Sequence, residues 1–326
     1  MKRAVVLSAI VALGLGTAGI FAQGNPLPPP RPIEKIGDNL YKIFGGGGNT
    51  TVYVGEEGVV LVDTKMPGNG ETIMSEIRKI TDKPVIMVIN THAHPDHLGS
   101  NAYFKEHRPT VEVVMHENAA AAATKPAFGD PAVVDRTFAD KLSVGKGKDQ
   151  IDLYYFGAAH TNGDSFVVFP SERAMAAGDV MAWKMAPLID SGSGGSILAL
   201  PDTLDRAIAG IKNVDKVIEG HGDVNTWEGF KLYNKFMRAL IVEAKKAQDA
   251  GLTPGHAVAE LEKNPEFKPF LGTKVLEGLE YGGTPKSRAL INTNVAFGEY
   301  KGEPVAVFAP APPSLEEQQA AKAAGQ

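Results

Sequence analysis

The stretch Asn90-Thr91-His92-Ala93-His94-Pro95-Asp96-His97-Leu98-Gly99 places three histidines and a carboxylate within the six positions from His92 to His97. It follows the apolar run Val85-Ile86-Met87-Val88-Ile89, which predicts a buried strand. The chemistry therefore starts where a strand gives way to a loop. Alternate side chains of an extended segment share a face, so His92 and His94 can point at one metal. Pro95 stiffens the chain just beyond them. Asp96 and His97 follow as the chain turns toward a helix, where they can reach a second, adjacent metal. Neutral imidazole and carboxylate suit zinc, and also iron or manganese. A solvated histidine-rich loop is the competing explanation. It would prevail for a lone histidine, and metal ligation prevails for this spacing at a strand end.

The rest of the composition narrows the class. At 326 residues, 43% hydrophobic and 22% charged, the chain can bury a full enzyme core. There are no cysteines, which excludes disulfides, a thiolate nucleophile, cysteine-ligated metal and an acylated lipoprotein anchor. The net charge of -5 comes without any basic block interleaved with aromatics, so no nucleic-acid partner is expected. Lys2 and Arg3 precede an apolar, glycine-interrupted run from Ala4 to Ile20, and Phe21-Ala22-Gln23 offers a cleavage point. Residues 1–22 are read as a secretory signal rather than a retained membrane span. That reading predicts a periplasmic or secreted protein with no stable membrane anchor after cleavage. Five prolines between Gly24 and Pro32 predict an extended, poorly packed linker over residues 23–32. A main domain is expected over 33–228, with amphipathic helices over 229–300 packed on it. A loose Pro-, Ala- and Gln-rich tail is expected over 301–326.

Other chemistry-bearing stretches punctuate the main domain. Asp63-Thr64 ends a strand, a position that also suits a turn or cap residue. Gly45-Gly46-Gly47-Gly48-Asn49 lacks the following Gly-Lys-Ser/Thr of a phosphate loop and is read as a flexible hairpin loop at the mouth of a site. A strand from Ile151 to Phe156 leads into Gly157-Ala158-Ala159-His160-Thr161-Asn162-Gly163-Asp164. Another, from Ala174 to Ala177, ends in Gly178-Asp179, and a third ends in Glu219-Gly220-His221-Gly222. Between them, residues 183–196 carry Trp183, Met185 and a Ser/Gly-rich run, which predicts a mobile loop that covers substrate. His107 and His256 are read as surface residues and His116 as structural.

These four histidine- and aspartate-bearing elements, from about Asp63 to His221, resemble the metallo-β-lactamase-fold hydrolase superfamily through its H-x-H-x-D-H, G-x-x-H-T-x-G-D, Gly-Asp and G-H-G signatures. The resemblance implies an α/β fold, an αββα sandwich, here with a C-terminal helical extension. It implies one metal position from His92, His94 and His160, and another from Asp96, His97 and His221, with Asp179 bridging. Asp96 is also expected among the catalytic groups. Asp63 and Asp164 would support the ligand loops. Two zinc ions would then contribute +4 against -3 from Asp96, Asp179 and a shared hydroxide. Such a centre holds a nucleophilic hydroxide near neutral pH. The expected activity is hydrolysis of a small ester, thioester, lactone or amide, as in glyoxalase II-like relatives. β-Lactam hydrolysis is the alternative, although Asp179 stands where β-lactamases generally lack an aspartate. A mononuclear-iron persulfide dioxygenase and a non-catalytic metal-binding protein are the remaining alternatives. The sequence does not set the oligomeric state.

Overall fold

Val59–Val62 and Val85–Ile89 are apolar at consecutive rather than alternate positions, the pattern of strands covered on both faces. The computed structural model describes residues 28–124, 134–275, 283–303, 305 and 310–324. It places both runs inside a seven-stranded sheet. In chain order its strands are β1 (Glu34–Lys35), β2 (Leu40–Ile43), β3 (Thr50–Val54), β4 (Val59–Val62), β5 (Val85–Ile89), β6 (Glu112–His116) and β7 (Arg136–Phe138). The first four pair antiparallel, and β4 through β7 run parallel. A second sheet of six strands contains β8 (Lys141–Val144), β9 (Ile151–Tyr154), β10 (Phe166–Phe169), β11 (Ala174–Gly178), β12 (Lys216–Glu219) and β13 (Val224–Thr226). Its one parallel pair is β11 with β12, joined across the helix Leu200–Gly210.

Three buried clusters show how the layers stack. Leu40, Val62, Ile89, Val167 and Ile218 meet between the two sheets. Ile73 and Ile77 of the helix Gly70–Arg78, with Phe104 of Asn101–His107, cover the outer face of the first sheet against Leu61 and Val88. Phe230, Phe236 and Leu240 of the long helix Trp227–Asp249 cover the second sheet against Phe166 and Met175. The helices Pro254–Leu261 and Pro285–Lys301 add Val258 and Ala296 to the same cluster. The order is helix, sheet, sheet, helix: the αββα sandwich with a helical C-terminal region. At roughly 25 cal/mol per Å² of apolar surface, these three interfaces supply the main drive for folding.

Some expectations need correction. Residues 1–27, with the signal and most of the linker, lie outside the described residues. Pro28 to Arg31, however, are not a loose spacer: Gly46 N–H donates to Pro28 O (2.7 Å) and Arg31 N–H to Phe44 O (2.7 Å). Proline cannot donate to a ladder, but its carbonyl still accepts. The tail also carries order. Leu315–Ala324 is a helix, and Gln318 hydrogen-bonds Thr253 at the start of Pro254–Leu261. Val242, whose apolar side chain suggests the core side of the helix that begins at Trp227, is instead 44% exposed. Residues 136–138 and 141–144, which carry only weak strand signals in the sequence, pair as β7 and β8 with their neighbours. No helix among the described residues is long and apolar enough to cross a membrane.

Candidate metal centre

Each ligand-bearing loop leaves the end of a core strand. His92 lies just past β5, His160 in the β9–β10 connection, Asp179 directly after β11 and His221 just after β12. The β5 end belongs to the first sheet and the other three to the second, so the loops converge at one edge of the sandwich. Among the described residues three groups could hold an ion, with ligand atoms within 4.8 Å of one another in each: His92, His94 and His160; His92, His97 and Asp179; Asp96, His97 and His221. All seven expected ligands fall within these groups.

The rear atoms of the imidazoles show which nitrogens face inward. Asp63 is an acceptor on both oxygens. Thr91 N–H donates to Oδ1 (2.8 Å), while Thr91 Oγ1–H (2.7 Å) and His97 Nδ1–H (2.8 Å) donate to Oδ2. Because the Thr91 proton points at Asp63, its oxygen accepts from His92 Nδ1–H at 3.0 Å. One carboxylate thus fixes the tautomer of two rings and leaves a lone pair on Nε2 of each. His94 is held the other way round: its Nε2–H donates to Asp190 Oδ2 (3.0 Å), which turns Nδ1 inward. His160 Nδ1–H donates to Leu188 O. The inward nitrogens crowd together, His92 Nε2 and His160 Nε2 lying 3.1 and 2.9 Å from His94 Nδ1. Facing lone pairs at such distances call for a cation between them.

The second position is carboxylate-rich. Asp96 Oδ2 lies 3.2 Å from His221 Nε2 and 3.6 Å from His97 Nε2. Asp179 faces both positions: Oδ1 sits 3.3 Å from His97 Nε2 and 3.4 Å from His221 Nε2, and Oδ2 sits 3.9 Å from His160 Nε2. Asp179 Oδ1 is buried and accepts no hydrogen bond, which leaves a lone-pair-bearing oxygen aimed into the centre. A buried acceptor left so is costly unless an ion satisfies it. The donor set fits divalent metal of the zinc type.

Protonation follows the same geometry. Burial, reinforced by the neighbouring rings, holds His92 well below the usual imidazole range, and burial pushes His160 down to about 4. Burial also opposes charge on His97, but Asp179, Asp96 and Asp63 outweigh it and hold that ring above the usual range. Burial would raise Asp96 and Asp179. His97 and His221 prevail over it at Asp96, as do His221 and His97 at Asp179, so both carboxyls stay ionised. Neutral imidazoles and ionised carboxylates are the forms that ligate metal, so His97 and His221, which despite burial Asp179 and Asp96 both hold above the usual range, would give up a proton as metal binds.

Asp164 supports its own loop, its carboxylate accepting from Thr161 N–H and Oγ1–H (both 2.8 Å), and burial pushes its pKa up to about 7. The expectation for residues 183–196 is corrected. Met185 is fully buried and Trp183 is 8% exposed. One face of the Trp183 ring stacks on His221 (centroids 4.1 Å apart, planes 16° apart), and the backbone N–H of Trp183 donates to His221 O (3.0 Å). Trp183 (φ +52°) and Lys184 (φ +55°) are the two central residues of a tight turn closed by Met185 N–H to Ala182 O (3.1 Å), a left-handed conformation that costs a bulky residue on the order of 1–3 kcal/mol. The Ser/Gly run is pinned as well, since Asp190 N–H donates to His160 O (2.8 Å) and Asn162 N–H to Ser193 O (2.9 Å).

Two residues were not anticipated. Asp190 lies 96 positions from His94 in sequence, within a stretch whose composition suggests only mobility. Lys65 is fully buried, and its ammonium donates to Ile43 O (2.7 Å) and Gly48 O (2.9 Å), the two ends of the glycine loop. That loop lies against the ligands: a Cβ on Gly48 would strike the His97 ring. His116 is structural, its Nε2–H donating to Ala139 O (2.6 Å), while His107 and His256 lie in local contacts away from the centre.

A family model described as the metallo-beta-lactamase superfamily matches residues 43–182. A solved metallo-beta-lactamase from Pontibacter korlensis shares the fold with a TM-score of 0.53 at 20% identity, covering 64% of this chain and 99% of that one. A sec-alkylsulfatase from Pseudomonas sp. does so with a TM-score of 0.65 at 15% identity, covering 83% of this chain and 50% of that one. In sequence, a metallo-beta-lactamase type 2 from Elizabethkingia meningoseptica is 32% identical over 239 residues, 68% of this chain and 88% of the relative. A match of that identity across most of both chains joins the sandwich to its ligand loops in a single kinship: the chain belongs to the metallo-β-lactamase superfamily and is a metal-dependent hydrolase.

Proposed function

We propose that the protein is an exported hydrolase with two zinc ions, acting on a small ester, thioester, lactone or amide. The observation that carries this reading is Asp179, whose two oxygens face the two ligand groups from one side chain. His92, His94 and His160 would hold one ion, and Asp96, His97 and His221 the other, with Asp179 shared. When bound, the ions would supply Lewis acidity and water of lowered pKa. The chain itself does three things. Asp63, Thr91 and Asp190 lock the rings so that lone pairs face inward. The Trp183 ring shields His221 from solvent and lowers the local dielectric. Asp96 and Asp179 would offset only part of the charge of two divalent ions, and the positive charge left would favour negative charge developing on a substrate oxygen.

A second reading, β-lactam hydrolysis, is favoured by the 32% identity to a metallo-beta-lactamase. Against it stands Asp179, at a position where the resemblance implies that β-lactamases generally lack an aspartate. The test is metal analysis of the purified protein together with turnover of a panel of ester, thioester, lactone, amide, β-lactam and alkyl sulfate substrates. About two zinc per chain with rates on the first four classes is the expected result. One iron per chain with oxygen uptake, or two metals with no turnover on any class, would refute it.

A further inference from the structure

Beside the metal centre lies a pocket of about 440 Å³ that the ligand set does not use. This size falls in the range of small-molecule sites. Its inner wall includes Gly222, which directly follows the ligand His221, and Trp183, which stacks on that ligand's ring. Phe44, at the root of the glycine loop, provides a second aromatic wall. The charged group at the base is Lys42, whose residue is 3% exposed. Buried lysines are expected to be closely paired. Among the described residues, Lys42 Nζ makes only long contacts for its three donors, 3.3 Å to Gly222 O and 3.4 Å to Glu34 Oε2. The Glu34 side chain is 62% exposed and reaches in from the edge strand β1. It is therefore a carboxylate that a competing anion can displace. The buried acid in the wall, Glu219, has both oxygens engaged, by Lys184 N–H (2.9 Å) and Asn225 Nδ2–H (2.9 Å). The remaining acid, Asp223, and the cations Arg31 and Lys184 are exposed at the rim.

We propose that this pocket is a recognition site for a carboxylate borne on an apolar, aryl or alkyl, body, with Lys42 pairing the carboxylate and Phe44 and Trp183 packing the body. Glu34 occupies the anion position when no ligand is there. Calling the ligand a substrate rests on the hydrolytic reading of the adjoining centre, since a group held against Trp183 would lie one ring away from His221. Recognition itself does not rest on that reading.

The chain has two tryptophans, so Trp227→Phe leaves Trp183 as the sole indole reporter. The metal-loaded Trp227→Phe protein is titrated with 4-phenylbutyrate, with its neutral counterpart 4-phenylbutanol, and with butyrate, following Trp183 emission. 4-Phenylbutyrate is expected to bind at least about tenfold more tightly than either comparator, the scale of one charge-assisted hydrogen bond or one buried aromatic ring. Lys42→Met should weaken it at least about tenfold and leave 4-phenylbutanol unchanged, whereas Glu34→Gln should tighten it by removing the internal competitor. Glu34→Gln also decides the matter if Lys42→Met fails to fold. Equal binding of acid and alcohol overturns the proposal. So does 4-phenylbutyrate binding that Lys42→Met and Glu34→Gln leave unchanged, because the anion would then sit on the metal ions. A protein that binds through Lys42 but cleaves no 4-nitrophenyl ester keeps the pocket and loses the hydrolase. One that cleaves such esters but does not respond to 4-phenylbutyrate keeps the hydrolase and loses the pocket.

Discussion

Replacing Asp63 by asparagine is the most searching perturbation of the centre, because it changes no shape and only one proton inventory. Asn tolerates the left-handed backbone that Asp63 adopts at φ +63°, where alanine would add strain. The carboxylate accepts three hydrogen bonds, and an amide has a single oxygen. Thr91 N–H can only donate, so the amide oxygen must stay on it and the NH2 must turn to Thr91 Oγ1 and His97 Nδ1. His97 can meet an incoming donor only by giving up its Nδ1 proton, which moves to Nε2 and blocks the lone pair aimed at the second position. Thr91 Oγ1, now accepting from the amide, turns its own proton toward His92 Nδ1, and His92 switches tautomer too. One substitution should therefore weaken both positions. Loss of such an outer partner costs about 10–100-fold in metal affinity per site, or about 1.4–2.8 kcal/mol. Competition against a chromophoric chelator reads both constants, and circular dichroism checks that the fold is kept. Two zinc ions bound with unchanged constants in Asp63→Asn would refute the account of ring orientation.

Asp179→Ala should reduce zinc from about two per chain toward one and lower hydrolysis at least about tenfold, read by metal analysis and initial rates; two retained metals at full rate would make Asp179 a turn residue. Asp190→Ala should weaken the His92–His94–His160 position by about 10–100-fold while sparing the other, so a chelator titration should lose one affinity class only. Burial depresses the buried Lys65 to about 7 from 10.5. The unfolded chain therefore binds the extra proton between pH 7 and 10.5, and folded stability rises with pH across that window. The melting temperature of the metal-free protein should climb relative to Lys65→Met between pH 7 and 9.5, and a constant gap between the two would contradict this. Protein recovered from the periplasm should have a mass matching cleavage near Ala22; a mass that retains Met1 would end the export reading.

How much of this could be read from residues alone depends on distance along the chain. The strands and the ligand loops announce themselves locally: an apolar run followed by His-Ala-His-Pro-Asp-His needs no tertiary knowledge. The same is true of Ile73 and Ile77, one helical turn apart on a buried face. What stayed hidden is what the fold supplies from afar. Asp190 serves His94 across 96 positions, and the Ser/Gly run around it looks mobile because composition records backbone freedom and not the hydrogen bonds that remove it. Trp183 looked like a flap for the same reason, while its ring was committed to His221. The prolines at 28–30 suggested a spacer because they lack donors, yet the Pro28 carbonyl accepts from Gly46 N–H. Lys65 gave no signal at all, since nothing local tells a buried lysine from a surface one.

The ligand loops are divided between the two sheets, His92 to His97 on the end of β5 and His160, Asp179 and His221 on the second sheet. Any ion held by both sets is a rivet through the seam of the sandwich. Its binding energy then adds to the cohesion of two layers also joined by apolar packing, by the chain's crossing from β7 to β8 and by hydrogen bonds such as Asn49 N–H to Gly220 O (2.7 Å) and Ser165 N–H to Thr91 O (2.8 Å). Metal at a hundred times its dissociation constant adds about 2.7 kcal/mol to folding, and here that increment is concentrated at one edge. Stripping the metal should let that edge open first while the far end of the sheets stays closed. The amides at the C-terminal ends of β5, β11 and β12 would exchange with solvent well before those of β8 and β9. The polarity of that opening follows from where the ligands are placed, whatever substrate the enzyme takes.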